Sequence, residues 1–202
     1  MKEDTYNIIK DPNTEALFKE KGSKFISFAY HVESEEEIKE KIADLKKVHY
    51  AARHHCYAYR IGKEEIKFRA NDDGEPSNSA GNPILGQLVA KDLTNVLVIV
   101  VRYFGGVKLG VGGLIQAYKT AAKEILDLCE IETKTINKEI ILKFEYPELN
   151  NVMRYIKEHK LDISKQEMEL KCSITISVRM KDLDTVFEQI SKMHKIKSKI
   201  VE

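Results

Sequence analysis

Hydrophobic positions along the chain recur with two periods, and the switches between them outline its elements. Tyr6–Ile9 and Lys24–Val32 read as strands. Ser34 with Glu37 three residues on forms a capping box. Ile38, Ile42, Leu45 and Val48 follow at helical spacing, so a helix with one buried stripe is expected. His55–Ile61 alternates as a strand, with Ile66–Ala70 as its hairpin partner. Residues 71–83, NDDGEPSNSAGNP, read as a polar loop, and Ile84, Leu85, Leu88 and Val89 as a short helix. Val96–Phe104 is an apolar, β-branched run suited to a central strand with both faces covered. After a glycine loop, Leu114–Cys129 reads as a long helix with Leu114, Ile115, Tyr118, Ala122, Ile125 and Cys129 on or near one face.

From Lys134 the pattern changes. Ile136–Phe144 alternates, Pro147 suits a first helical turn, and Leu149, Val152, Met153 and Ile156 form a stripe. Leu161–Leu170 and Cys172–Met180 read as strands. Asp182 can cap a helix carrying Leu183, Val186, Phe187 and Ile190, and Lys195–Val201 closes as a strand. That order, β-α-β-β-α-β, is the split ferredoxin-like unit. The expected fold class is α+β in two domains, residues 1–133 and 134–202, with Glu130–Lys134 as a short linker.

Composition narrows the function classes. Thirty-three Lys and Arg balance thirty-two Asp and Glu, for a net charge of +1. This excludes a strongly basic coat or an acidic tail but not a local basic face. The longest aliphatic run, Val96–Val101, is far short of the ~20 residues a bilayer span needs. The charged start, MKEDTYNIIKD, has no apolar core, so no secretion signal is expected. Three scattered cysteines, Cys56, Cys129 and Cys172, suggest reduced thiols in a cytoplasm.

Eight of the ten glycines fall between Gly74 and Gly113, so the unusual backbone is concentrated in one stretch. In RYFGGVKLGVGGLIQAY, a buried strand passes through Gly105, Gly106, Gly110, Gly112 and Gly113 into a helix. Free amides at a helix start, with Lys108 and Arg102 nearby, suit an anion. A tight turn that binds nothing has the same spacing, and neither Walker A nor GxGxxG is present. Asp72, Asp73 and Glu75, around Gly74, could hold a hard cation or could cap the following helix and shape turns. In HHCYAYRI, His54 and His55 point to opposite strand faces and cannot easily share one ion. His55, Tyr57 and Tyr59 share a face that could stack on nucleic acid or simply pack. Lys195, Lys197 and Lys199 read as one strand face, either a solvated edge or a phosphate-contacting surface. Lys119 and Lys123 leave the same choice. No metal or cofactor is expected.

These segments carry a family resemblance. HHCYAYRIG, NDDGEPSNSAGNPIL and LTNVLVIVVRYFGGVKLGVGGLIQAY, in this order, resemble the signatures of the YigZ/IMPACT family. The matching positions include Asp73, Gly74, Glu75, Pro76, Ala80, Gly81, Pro83, Arg102, Tyr103, Phe104, Gly105, Gly106, Lys108, Leu109, Gly110, Gly112 and Gly113. Gln116 stands where the family often has Arg, and Asn78–Ser79 replace a more usual Gly/Ser–Thr pair. The resemblance implies an N-terminal domain like domain IV of elongation factor G and a C-terminal domain like that factor's last. It also implies a link to translation, since eukaryotic relatives regulate translation under amino-acid starvation stress.

Three functions compete. One is a non-enzymatic, translation-linked regulator that binds structured RNA, the ribosome or a translation factor. It would use Arg102, Lys108, Lys119 and Lys123 in the first domain and Lys195, Lys197 and Lys199 in the second. The second is a phosphate-handling enzyme, in which the glycine loop and the acidic loop converge. The third is a pure protein-interaction module with an exposed apolar patch. The first is the favoured expectation.

Overall fold

The computed structural model describes residues 4–10, 15–169 and 171–201. The protein has a mixed α/β fold in two compact units, Tyr6–Lys134 and, separately, Met1–Thr5 with Thr135–Glu202.

In the first unit, β1 (Thr5–Ile9), β2 (Ala16–Glu20) and β3 (Ser23–His31) precede α1 (Glu35–Val48). Then come β4 (His54–Ile61), β5 (Lys67–Asn71), α2 (Gly81–Ala90), β6 (Val96–Tyr103), α3 (Gly110–Asp127) and β7 (Ile131–Thr135). Five strands form an antiparallel sheet in the order β2-β3-β6-β4-β5, and β1 pairs with β7. Half of the expected capping box forms: Ser34 accepts from the Glu37 amide, while the Glu37 carboxylate accepts from the amide of Glu33, one residue before the N-cap.

The apolar run of β6 has a plain physical cause. Val96, Val98 and Val100 pack with Ile84 and Leu88 of α2 and with Leu114, Tyr118 and Ile125 of α3. Leu97, Ile99 and Val101 pack on the opposite face with Ile38 and Leu45 of α1. Burying each such side chain stabilises the unit by about 1.5–3 kcal/mol. Tyr57 and Tyr59 join the α1 side, so the aromatic face of β4 is sheet packing rather than a stacking platform. Ala117, Ala121 and Ala122 let α3 lie close to the sheet, where the Ser27 hydroxyl donates to the Ala121 carbonyl.

In the second unit, β8 (Asn137–Glu145), α4 (Leu149–Glu158), β9 (Asp162–Glu167), β10 (Lys171–Arg179), α5 (Leu183–Ser191) and β11 (Lys197–Ile200) follow the β-α-β-β-α-β order. The sheet is antiparallel in the order β11-β8-β10-β9. Ile140, Leu142, Ile174 and Ile176 face Val152, Ile156, Val186 and Ile190 of the two helices.

Several expectations are corrected. Ala16–Glu20 and Ile131–Thr135 are strands, so the stretch read as a linker is instead paired with β1. Helix α3 starts at Gly110, not Leu114, and its first turn is wound from the glycines themselves. Asp182 makes no side-chain cap. Lys195 lies before β11 in a left-handed turn (φ 68°), so it does not share the strand face of Lys197 and Lys199. Leu170, expected to end β9, lies outside the described residues.

Candidate functional site

The three glycine-, acid- and histidine-bearing segments meet in one place, and the acidic loop is what joins them. Asp72 accepts three amides, from Asn78 (2.8 Å), Ala80 (2.9 Å) and Gly81 (2.8 Å), at the start of α2. It does what no side chain at the N-cap, Ala80, can do. Asp73 accepts from the His55 amide at 2.7 Å and pairs with Lys46 at 3.3 Å. Its carbonyl takes a hydrogen bond from His54 Nδ1 at 2.9 Å. Gly81 allows this closure, because a Cβ there would sit 2.4 Å from the Asn71 nitrogen.

Glu75 turns inward. Its side chain is 4% exposed and accepts from Arg102 at 2.6 Å and from the Tyr118 hydroxyl at 2.8 Å. The Arg102 guanidinium, 7% exposed, lies 5.5 Å from the Phe25 ring centre and 5.7 Å from that of Phe104. The Cys56 thiol lies 3.3 Å from the Tyr118 oxygen and 3.0 Å from the Asp72 carbonyl. Burial pushes both the Cys56 thiol and the Tyr118 phenol far above their usual range, so each stays protonated. Arg102 is thus removed from the expected anion-contacting surface: its charge is spent on Glu75 inside the fold.

Above this network lies the glycine segment. Gly105 is forced by backbone crossing, since a Cβ there would come within 1.9 Å of the Gly22 carbonyl carbon. Gly112 is different: it is helical, and an added Cβ would meet nothing within 4 Å. No side chain caps α3 and no acidic residue lies in its first turn, which leaves its leading amides without intrahelical acceptors. Lys108 is exposed beside them, as are Gly106, Gly110 and Gly112, while Gly113 is half-buried. Phe104, Val107, Val111 and Ile115 are exposed around the same segment.

The remaining candidate basic residues lie further along α3 and in the second unit. Lys119 is exposed on α3. Lys123 pairs with Asp127. Lys195 lies 3.8 Å from Glu148, while Lys197 and Lys199 are exposed on β11. Among the described residues, no three His, Cys, Asp or Glu side chains are grouped to hold a metal ion. Asp72, Asp73 and Glu75 are each engaged by the protein's own donors.

Residues 21–126 match the model of the Impact N-terminal domain. An IMPACT family member of Haemophilus influenzae is 31% identical over 185 residues, covering 90% of each chain. The IMPACT family member YvyE of Bacillus subtilis is 32% identical over 198 residues, 98% of this chain and 91% of its own. A crystal structure of a hypothetical protein superposes with a TM-score of 0.70 at 25% identity, covering 99% of this chain and 98% of the other. The chain belongs to the IMPACT family.

Proposed function

We propose that this protein is a non-enzymatic regulator linked to translation that docks structured RNA, as in the ribosome. The supporting observation is a contrast of commitments. Every carboxylate of the acidic loop is held by the protein's own groups, whereas the start of α3 beside Lys108 is uncapped and solvent-facing. Such a surface can accept a phosphate and offers no base or nucleophile to act on it. The YigZ/IMPACT signatures support the link to translation. In this reading the domains are 1–133 and 134–202, each similar to a domain of elongation factor G, and the protein works in the cytoplasm. No helix among the described residues is long and apolar enough to cross a membrane.

The test is co-sedimentation with ribosomes and tRNA. Wild type is expected to sediment with them and to be released by salt, and Lys108→Ala to sediment less. A wild type that stays in the supernatant at low salt overturns the reading. A second reading, a protein-interaction module, is favoured by the exposed Phe104, Val107, Val111 and Ile115 around the same segment. It gains if Val111→Asp abolishes ribosome association while Lys108→Ala leaves it unchanged.

A further inference from the structure

The strand register of the second unit brings Lys143 beside Lys197 and Lys199, which lie far later in the chain. Lys197 of β11 is directly opposite Lys143 of β8, and Lys199 is opposite Ile141. The intervening pairs, Ser198 with Leu142 and Ile200 with Ile140, belong to the opposite face, which the helices cover. Lys143, Lys197 and Lys199 therefore share the face turned away from α4 and α5, and all three are exposed. Among the described residues, none of the three has a carboxylate within ion-pairing distance. Lys165, on the same face opposite Thr175, pairs with Glu167 at 2.8 Å and so does not add to the group.

Like charges directly opposite across a sheet are destabilising. An edge strand accounts for Lys197 and Lys199, because edge lysines discourage pairing with another chain. It does not account for Lys143, whose strand is flanked on both sides, by β11 and β10. Glu167, across Ser173 on the same face, offsets the Lys143 charge in part, and the corner keeps an excess of positive charge that an edge strand alone does not explain.

We propose that Lys143, Lys197 and Lys199 form a docking surface for the phosphodiester backbone of RNA. This rests on the RNA-binding reading above and gives the second unit its part in it. Charge complementarity selects the occupant, and the neighbouring Ser173, opposite Lys143, supplies a hydroxyl of the kind that also contacts phosphate. Ile141, Thr175 and Ser177 complete the centre of the face, and no aromatic ring stands among them. The surface has no stacking platform and follows the backbone without reading bases. Glu139, Glu145 and Glu167 share the face and limit the contact to the lysine corner.

The test uses the full chain and a fluorescently labelled stem-loop RNA, with affinity followed by anisotropy across a salt series. The triple variant Lys143→Gln, Lys197→Gln, Lys199→Gln is expected to bind about tenfold or more weakly. Its slope of log affinity against log salt should be shallower by about 2 to 3, from roughly 0.7–0.9 per lost phosphate contact. Lys165→Gln should leave the slope unchanged. Because repulsion is removed, the triple variant should melt no lower than wild type. Lys143→Gln alone, measured in parallel, should lower the slope by about one contact's worth. A folded triple variant with the wild-type slope overturns this inference alone, provided Lys108→Ala still weakens binding. A wild type that binds no RNA at low salt overturns both this inference and the reading on which it rests.

Discussion

Arg102 donates to Glu75 over 2.6 Å with both side chains more than nine-tenths buried. It joins the end of the central strand to a loop 27 residues earlier in the chain. Removing one partner of such a pair leaves an uncompensated charge in the interior, which costs about 3–5 kcal/mol. Glu75→Ala should therefore lower the urea-unfolding free energy by that amount. Replacing both partners, with Glu75→Gln and Arg102→Met, should recover much of the loss. A Glu75→Ala protein of wild-type stability would refute the structural role given to this pair.

Asp72 and the start of α2 make a second prediction. With three amides on one carboxylate, Asp72→Ala should destabilise by about 1–2 kcal/mol, the upper range for a lost N-terminal cap. Asp72→Asn keeps an acceptor oxygen and should cost less. Chemical denaturation of the two variants checks the order. A larger loss for Asn than for Ala would contradict it.

Much of this architecture is legible in the chain. The β-α-β-β-α-β order of the second unit and the buried central strand both follow from period and β-branching. Strands β2 and β7 are not, because ALFKE and IETKT are five-residue segments with too few apolar positions to show a period. The start of α3 is hidden by composition. Glycine is a poor helix former, yet each costs only about 1 kcal/mol, which the apolar side of the following turns outweighs. The Glu75–Arg102 pair carries a signal in the chain. An arginine inside a strand covered on both faces must find an acid, and the acidic loop is nearby in sequence. Read that way, Arg102 belongs to the interior and the acidic loop to the scaffold.

The two kinds of glycine should separate under substitution. Gly105→Ala places a Cβ into the Gly22 backbone and should prevent normal folding or lower the melting temperature sharply. Gly112→Ala meets open space and should raise stability by up to about 1 kcal/mol. If the α3 start receives a phosphate, the same variant should bind ribosomes less tightly. Thermal melts and co-sedimentation on one preparation give both answers, and a Gly112→Ala protein gaining in both would count against the phosphate site.

His55 gives the stability a dependence on pH. It is 5% exposed, and burial holds its imidazole below the ordinary value, opposed by the Asp73 charge and reinforced by that of Lys46. The unfolded chain takes up a proton as the pH falls through about 6.5, before the folded protein does. Stability contributed by neutral His55 is therefore complete above that value and is lost as the solution is acidified below it. Urea midpoints at about pH 7.5 and about pH 5.5 should fall further for wild type than for His55→Gln. Equal falls would rule out this residue as the source.

Cys56 has no exposed surface, and its thiol is held in the protonated state. A maleimide or a cellular oxidant can reach it only when the sheet parts from α3, since a thiol reacts as its thiolate and only where reagent has access. Its alkylation rate is then a clock for transient opening of the interior. Loss of the Glu75–Arg102 link would make that clock run faster.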